Sequence, residues 1–217
     1  MAGLPVSSRA FQPVWFGFTS QLVAGICRTE FESTKAQKTE HVETLGGIGM
    51  LTSRVIPCLD VRDNRVVKGV KFNGLRDVGT PALLAAEYER QGADELVVLD
   101  VSATNANRNT QLKTVQQVRE ALSIPLTVGG GVRTIEDVQR LTDAGTDKVS
   151  MNSAAVQNPD LIGAVANLFG SQCTVVAVDV RWADGHWEVL THAGTRATGH
   201  NAIEWVREVE SLSLIHI

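Results

Sequence analysis

Between Arg54 and Val180 short apolar runs alternate five times with segments whose apolar residues recur at helical spacing. The runs are RVIPCLD (54–60), ELVVLDV (95–101), PLTV (125–128), DKVSM (147–151) and CTVVAVDV (173–180). A strand without polar alternation must be covered on both faces, which is the habit of parallel sheets flanked by helices. The intervening segments carry helix punctuation. Thr80-Pro81 reads as an N-cap followed by proline at the first helical position, with Leu83, Leu84 and Tyr88 inward and Gly92 as the stop. Leu112, Val115, Val118 and Leu122 share a second helical face. Thr134 with Asp137 forms a variant capping box for a helix bearing Ile135, Val138 and Leu141, and Gly145 ends it. Asn158-Pro159 starts a helix with Leu161, Ile162, Val165 and Phe169, stopped by Gly170, and Ile203 to Val209 is helical.

Five strand-helix units leave two architectures. An open doubly wound sheet would place a glycine fingerprint after the first strand, whereas here that strand runs into Asp-Val-Arg and the glycines follow the third. The expected fold is therefore α/β, a (β/α)8 TIM-type barrel that is incomplete, with about five βα units. Met50 to Glu210 falls well short of the about 250 residues of a full barrel, so roughly three strands are missing.

Three regions follow. Residues 1–49 read as an extension: Val14 to Ile26 is shorter than the roughly 20 residues a spanning helix needs, and Glu30 to Glu43 is polar without apolar periodicity. Met50 stands where an initiator would. Residues 50–211 form the partial barrel. Residues 212–217, LSLIHI, match what a common library-adapter sequence encodes and read as an artefactual tail.

A net charge of -4 gives no general attraction for nucleic acid or anionic membrane. Three scattered cysteines (Cys27, Cys58 and Cys173) and five histidines without ligand spacing (His41, His186, His192, His200 and His216) indicate neither disulfides nor a metal site. A cytoplasmic location fits best.

The chemistry concentrates at strand ends. Asp60-Val61-Arg62 recurs as Asp179-Val180-Arg181, and each triplet ends an apolar run and enters a short polar hairpin closed by glycine, at Gly69 and Gly194. Such a duplication offers one carboxylate from each half of a barrel, on the face where barrels place their chemistry. Two carboxylates can divide acid and base work if their surroundings separate their pKa values. Asp100 also ends a strand but lacks the triplet, so site residue and loop cap are equally good readings of it. Gly129-Gly130-Gly131 permits close backbone approach, and its N–H groups with those near Asn152 and Ser153 could cradle a phosphate; a tight turn would use the same glycines. Val66 to Gly74 reads as a mobile loop carrying Lys68 and Lys71. Lys68 there is an anion clamp or a solvated lysine. Trp182 and Trp187 read as hairpin packing, unless exposed, when they would mark a contact site.

RVIPCLDVRDNRVVKGVKF, LRDVGTPALLAAEYERQGADELVVLDV, PLTVGGGVRTIEDVQRLTDAGTDKVSMNSAAVQNP and FGSQCTVVAVDV together closely resemble the cyclase subunit of imidazole glycerol phosphate synthase, an enzyme of histidine biosynthesis. The resemblance implies a barrel that takes ammonia from a glutaminase subunit in a heterodimer and joins it to a ribulosyl-bearing bisphosphate, without a metal or organic cofactor. It makes Asp60 and Asp179 the acid/base pair, Lys68 the loop lysine near the ligand, and Gly131, Asn152 and Ser153 part of a phosphate site, to which Gly130 and Asp100 are added as neighbours. Arg54, Glu95 and Lys148 would form the charged ring where ammonia enters, with Asp147 beside them at the glutaminase-facing end. The strands and second phosphate site of the later half are missing from the match. The alternatives are the sister phosphoribosyl isomerase of the same pathway, disfavoured by the CLDV-to-VVKG opening and the LRD loop, or a non-catalytic half-barrel fragment.

Overall fold

A computed structural model describes residues 54–70, 73–103, 110 and 112–213. The extension 1–49, the start at Met50, Lys71 and residues 214–217 of the tail lie outside them. In chain order the elements are β1 (Cys58–Arg62), β2 (Arg65–Val70), β3 (Asn73–Gly79), α1 (Pro81–Arg90), β4 (Leu96–Asp100), α2 (Leu112–Glu120), β5 (Leu126–Gly129) and α3 (Ile135–Asp143). They continue with β6 (Lys148–Met151), α4 (Ser153–Gln157), α5 (Asp160–Phe169), a 3-10 turn (Ser171–Cys173), β7 (Thr174–Val176), β8 (Asp179–Ala183), β9 (His186–Thr191), β10 (Arg196–Asn201) and α6 (Ala202–Ser213).

The main sheet has the order β3-β2-β1-β4-β5-β6-β7, and β1, β4, β5, β6 and β7 are parallel neighbours. These are the five staves of an incomplete barrel, each followed by helix in the alternation that parallel pairing requires. Leu59, Val98, Val128 and Val149 are mutual register partners and are at most 3% exposed. They pack in one core with Val115, Val118, Val138, Leu141, Ile162 and Val165 of the covering helices. Burying such side chains contributes roughly 1.5–3 kcal/mol each, so this row holds helices to sheet.

Both Asp-Val-Arg units turn the same way. Asp63 and Asn64 have φ of 51° and 60°, and Asp184 and Gly185 have φ of 49° and 81°. Positive φ at both central residues is the two-residue turn whose twist matches a hairpin. The first turn joins β1 to β2, and the second joins β8 to β9.

Three sequence expectations are corrected. Within Val66 to Gly74 the described residues are strand rather than loop: Val66–Val70 belongs to β2 and Asn73 and Gly74 to β3, an antiparallel extension of the sheet with Val66 and Val67 buried, so Lys68 sits on a strand. Leu83 does not face inward but is 73% exposed. The buried stripe of α1 runs through Pro81 and Ala85, with Leu84 and Tyr88 packed beside it, and a residue two places from Pro81 lies on the far side of a helix. Thr80 holds the N-cap position with Pro81 after it, as expected, although its side chain makes no capping bond. The last stave breaks after Val176 and resumes as β8, which pairs with β9 and β10 in a separate antiparallel sheet. By contrast the Thr134–Asp137 capping box is present in both directions. The last helix is longer than its apolar face suggested, and Asn201 Oδ1 caps its start by accepting the N–H groups of Ile203 and Glu204.

Candidate active site

The register of the parallel staves sets the site. Asp60 pairs with Leu99, Leu99 with Gly129, Gly129 with Ser150, and Ser150 with Val175, so this row occupies one face of the sheet. It is the face opposite the helix-covered row. Asp60 lies near the C-terminal end of β1, and Asp179 follows β7, where Ala177 N–H still bonds the Met151 carbonyl of β6 at 2.8 Å. Both carboxylates therefore belong to the C-terminal rim.

Their surroundings are alike and unusual. Burial pushes the Asp60 carboxyl from 3.8 up to about 6, with the nearby positive charge of Lys68 pulling it back. Burial likewise pushes Asp179 up to about 6, and there a hydrogen bond from Asn152 opposes the rise. Asn152 Nδ2 donates to Asp179 Oδ2 at 2.9 Å. Carboxyls with midpoints near 6 are mostly ionised at neutral pH yet bind a proton readily, which suits transfer in either direction. Cys58, two residues before Asp60 and on the same side of β1, has its thiol pushed up by burial and further by Asp60, so it sits there as a neutral group.

Next to Asn152, Ser153 opens α4, and its Oγ accepts the main-chain N–H of His192 at 2.9 Å. That contact ties the end of β9 to the loop after β6. Sequence reasoning gave His192 no part in this, because the contact joins residues 39 apart. Asp100 Oδ1 accepts Ser102 Oγ and the N–H groups of Ser102 and Ala103 at 3.1–3.3 Å, the bonding of a loop cap. Gly130 and Gly131 have φ of 93° and 73°. A Cβ on Gly130 would collide with the main chain of Asp100, and one on Gly129 would lie 2.9 Å from both Leu99 Cδ2 and Ser150 Cβ. Close packing alone thus requires two glycines of the triplet.

At the opposite end of the staves Glu95 is 3% exposed and receives two cations. Arg54 Nη1 bonds its Oε1, and Lys148 Nζ lies 2.6 Å from Oε2. Asp147 accepts Leu126 N–H at 2.8 Å and pairs with Arg119 at 3.1 Å, leaving its side chain half exposed. On the β8–β9 hairpin Trp182 and Trp187 are cross-strand partners, 59% and 45% exposed, and meet edge to face at 5.2 Å. They pack on each other across the hairpin, as expected, and are also exposed, the condition set for a contact site. Among the described residues no helix is long and apolar enough to cross a membrane.

Comparison with known proteins extends these observations. Residues 54–217 match the family model described as "Histidine biosynthesis protein". Over 163 residues the chain is 55% identical to "Imidazole glycerol phosphate synthase subunit HisF" of Exiguobacterium sibiricum, covering 75% of this chain and 66% of that protein. Over 162 residues it is 58% identical to the protein of the same name from Gluconacetobacter diazotrophicus, covering 74% of this chain and 62% of the relative. The chain thus spans a little under two thirds of the length of these relatives. With the model matched from the first stave onward, and with the paired rim carboxylates in place, the chain belongs to the histidine biosynthesis protein family.

Proposed function

We propose that this chain is the cyclase subunit of imidazole glycerol phosphate synthase. It would use ammonia to convert a phosphoribulosyl aminoimidazole carboxamide ribonucleotide into imidazole glycerol phosphate and aminoimidazole carboxamide ribonucleotide. The observation that carries the reading is the pair Asp60 and Asp179: matched Asp-Val-Arg contexts, one rim, and carboxyls both pushed up to about 6. The names of the two relatives favour the cyclase over the isomerase.

Ammonia attacks the keto carbon of the ribulosyl arm. One aspartic acid donates a proton to the departing oxygen, and the other carboxylate removes a proton during ring closure and release of the carboxamide ribonucleotide. Lys68 stands near enough to Asp60 to stabilise its anion, and its ammonium suits a substrate bearing two phosphates. Gly130, Gly131, Asn152 and Ser153 line one phosphate position, with Asp100 holding the adjoining loop. At the other end Arg54, Glu95 and Lys148 form a closed charged cluster through which ammonia enters from a glutaminase subunit, with Asp147 at its margin.

The test is incubation of the chain with ammonium salt and the ribulosyl bisphosphate. Formation of both products in equal amounts supports the cyclase. Conversion of the ribosyl precursor to its ribulosyl isomer without ammonia use would support the isomerase instead, and neither reaction would leave a fragment that only binds a partner.

A further inference from the structure

Asn152 follows β6 directly and holds the N-cap position of α4. Asparagine is favoured at N-caps because its side-chain oxygen accepts an N–H of the first turn. Here that bond is not made. Nδ2 instead donates to Asp179 Oδ2 at 2.9 Å, across 27 positions of sequence, while Oδ1 is buried without a hydrogen-bond partner among the described residues. A buried amide oxygen without a donor is costly, and capping does not account for it.

We infer that Asn152 is a positioning residue for Asp179, and that its Oδ1 accepts a hydrogen bond from an N–H or O–H group of the bound substrate. This rests on the reading of Asp179 as an acid/base group. One amide then serves two purposes: it fixes the direction of the carboxylate, and it presents an acceptor beside the atom that exchanges a proton. Among the described residues Asn152 is the one side chain hydrogen-bonded to the Asp179 carboxylate. The other charged and titratable groups on neighbouring strands are otherwise engaged. Arg181, further along β8, pairs with Glu188 of β9 at 2.8 Å. His192, at the end of β9, has Nδ1 3.1 Å from Thr191 Oγ1. On β1 and β2, Lys68 acts on Asp60.

The experiment is a carboxyl carbon NMR titration of Asp179 in the 217-residue chain, in wild type, Asn152→Ser and Asn152→Ala. Serine is itself a good N-cap, so it supplies whatever capping the position needs but not the amide bond. The expected result is an upward move of the Asp179 midpoint by about one pH unit in both variants, the size expected when a hydrogen bond to a charged group is lost. Ammonia-dependent kcat/KM should fall at least tenfold in Asn152→Ser, with denaturation midpoint unchanged. A midpoint unmoved in Asn152→Ser would overturn the inference, and so would a moved midpoint with unchanged kcat/KM. Should Asn152→Ala fail to fold, the serine variant alone decides. An Asp179→Asn chain that keeps its turnover would instead defeat the functional reading, so the two failures are separable.

Discussion

Lys148 Nζ lies 2.6 Å from Glu95 Oε2 although β5 runs between their strands, and the other oxygen of Glu95 holds Arg54. One buried carboxylate therefore ties the N-terminal ends of three staves. Removing it would leave two partly buried cations facing each other. Glu95→Ala should cost about 3–5 kcal/mol of folding stability, the range for breaking a buried ion pair from one side. Loss of the exposed Arg65–Asp77 pair, which water and salt screen, should cost far less. Urea denaturation of the two variants compares them directly.

Asp60 and Asp179 should make the protein less stable as pH rises from acid to neutral. Each carboxyl titrates at about 6 when folded and near its ordinary 3.8 when unfolded. Below about pH 4 both states are protonated and nothing is lost. Between pH 4 and 6 the unfolded chain sheds protons that the folded chain keeps, so stability declines, and above pH 6 the loss is complete. At pH 7 this amounts to roughly 2–3 kcal/mol for each group. Asp60→Asn and Asp179→Asn should each be more stable than wild type at pH 7 and much closer to it at pH 4, as measured by denaturant midpoints at the two values.

Gly130→Ala and Gly185→Ala should separate steric collision from backbone strain. Both glycines have positive φ, but a Cβ on Gly130 collides with the Asp100 main chain, whereas one on Gly185 meets nothing within 4 Å among the described residues. Gly185→Ala should cost only the left-handed penalty of about 1–2 kcal/mol. Gly130→Ala should cost several kcal/mol or displace the loop after β4. Thermal melts distinguish the two.

What could be read from the amino acids follows from range. The staves showed because parallel strands are apolar on both faces, and α3 and α5 showed because caps and glycine stops act within four residues. The β2–β3 extension and β10 escaped because their exposed faces carry polar residues that mimic loop composition, as in RATGHN. The placement of Asp60 and Asp179 at strand ends on one rim was legible from a repeated triplet. Their desolvation, the Asn152 bond and the His192–Ser153 contact were not, since each depends on which strands become neighbours. The cluster around Glu95 was legible only through resemblance, since composition offers no reason why a carboxylate at a strand start should be 3% exposed.

Ammonia-dependent turnover of the ribulosyl bisphosphate, compared among wild type, Asp60→Asn and Asp179→Asn, measures the proposed chemistry at its two proton-carrying groups. Either substitution should lower kcat by about 100- to 10,000-fold while the chain stays folded at pH 7. Turnover within a few-fold of wild type in either variant would contradict the assignment of catalysis to this pair.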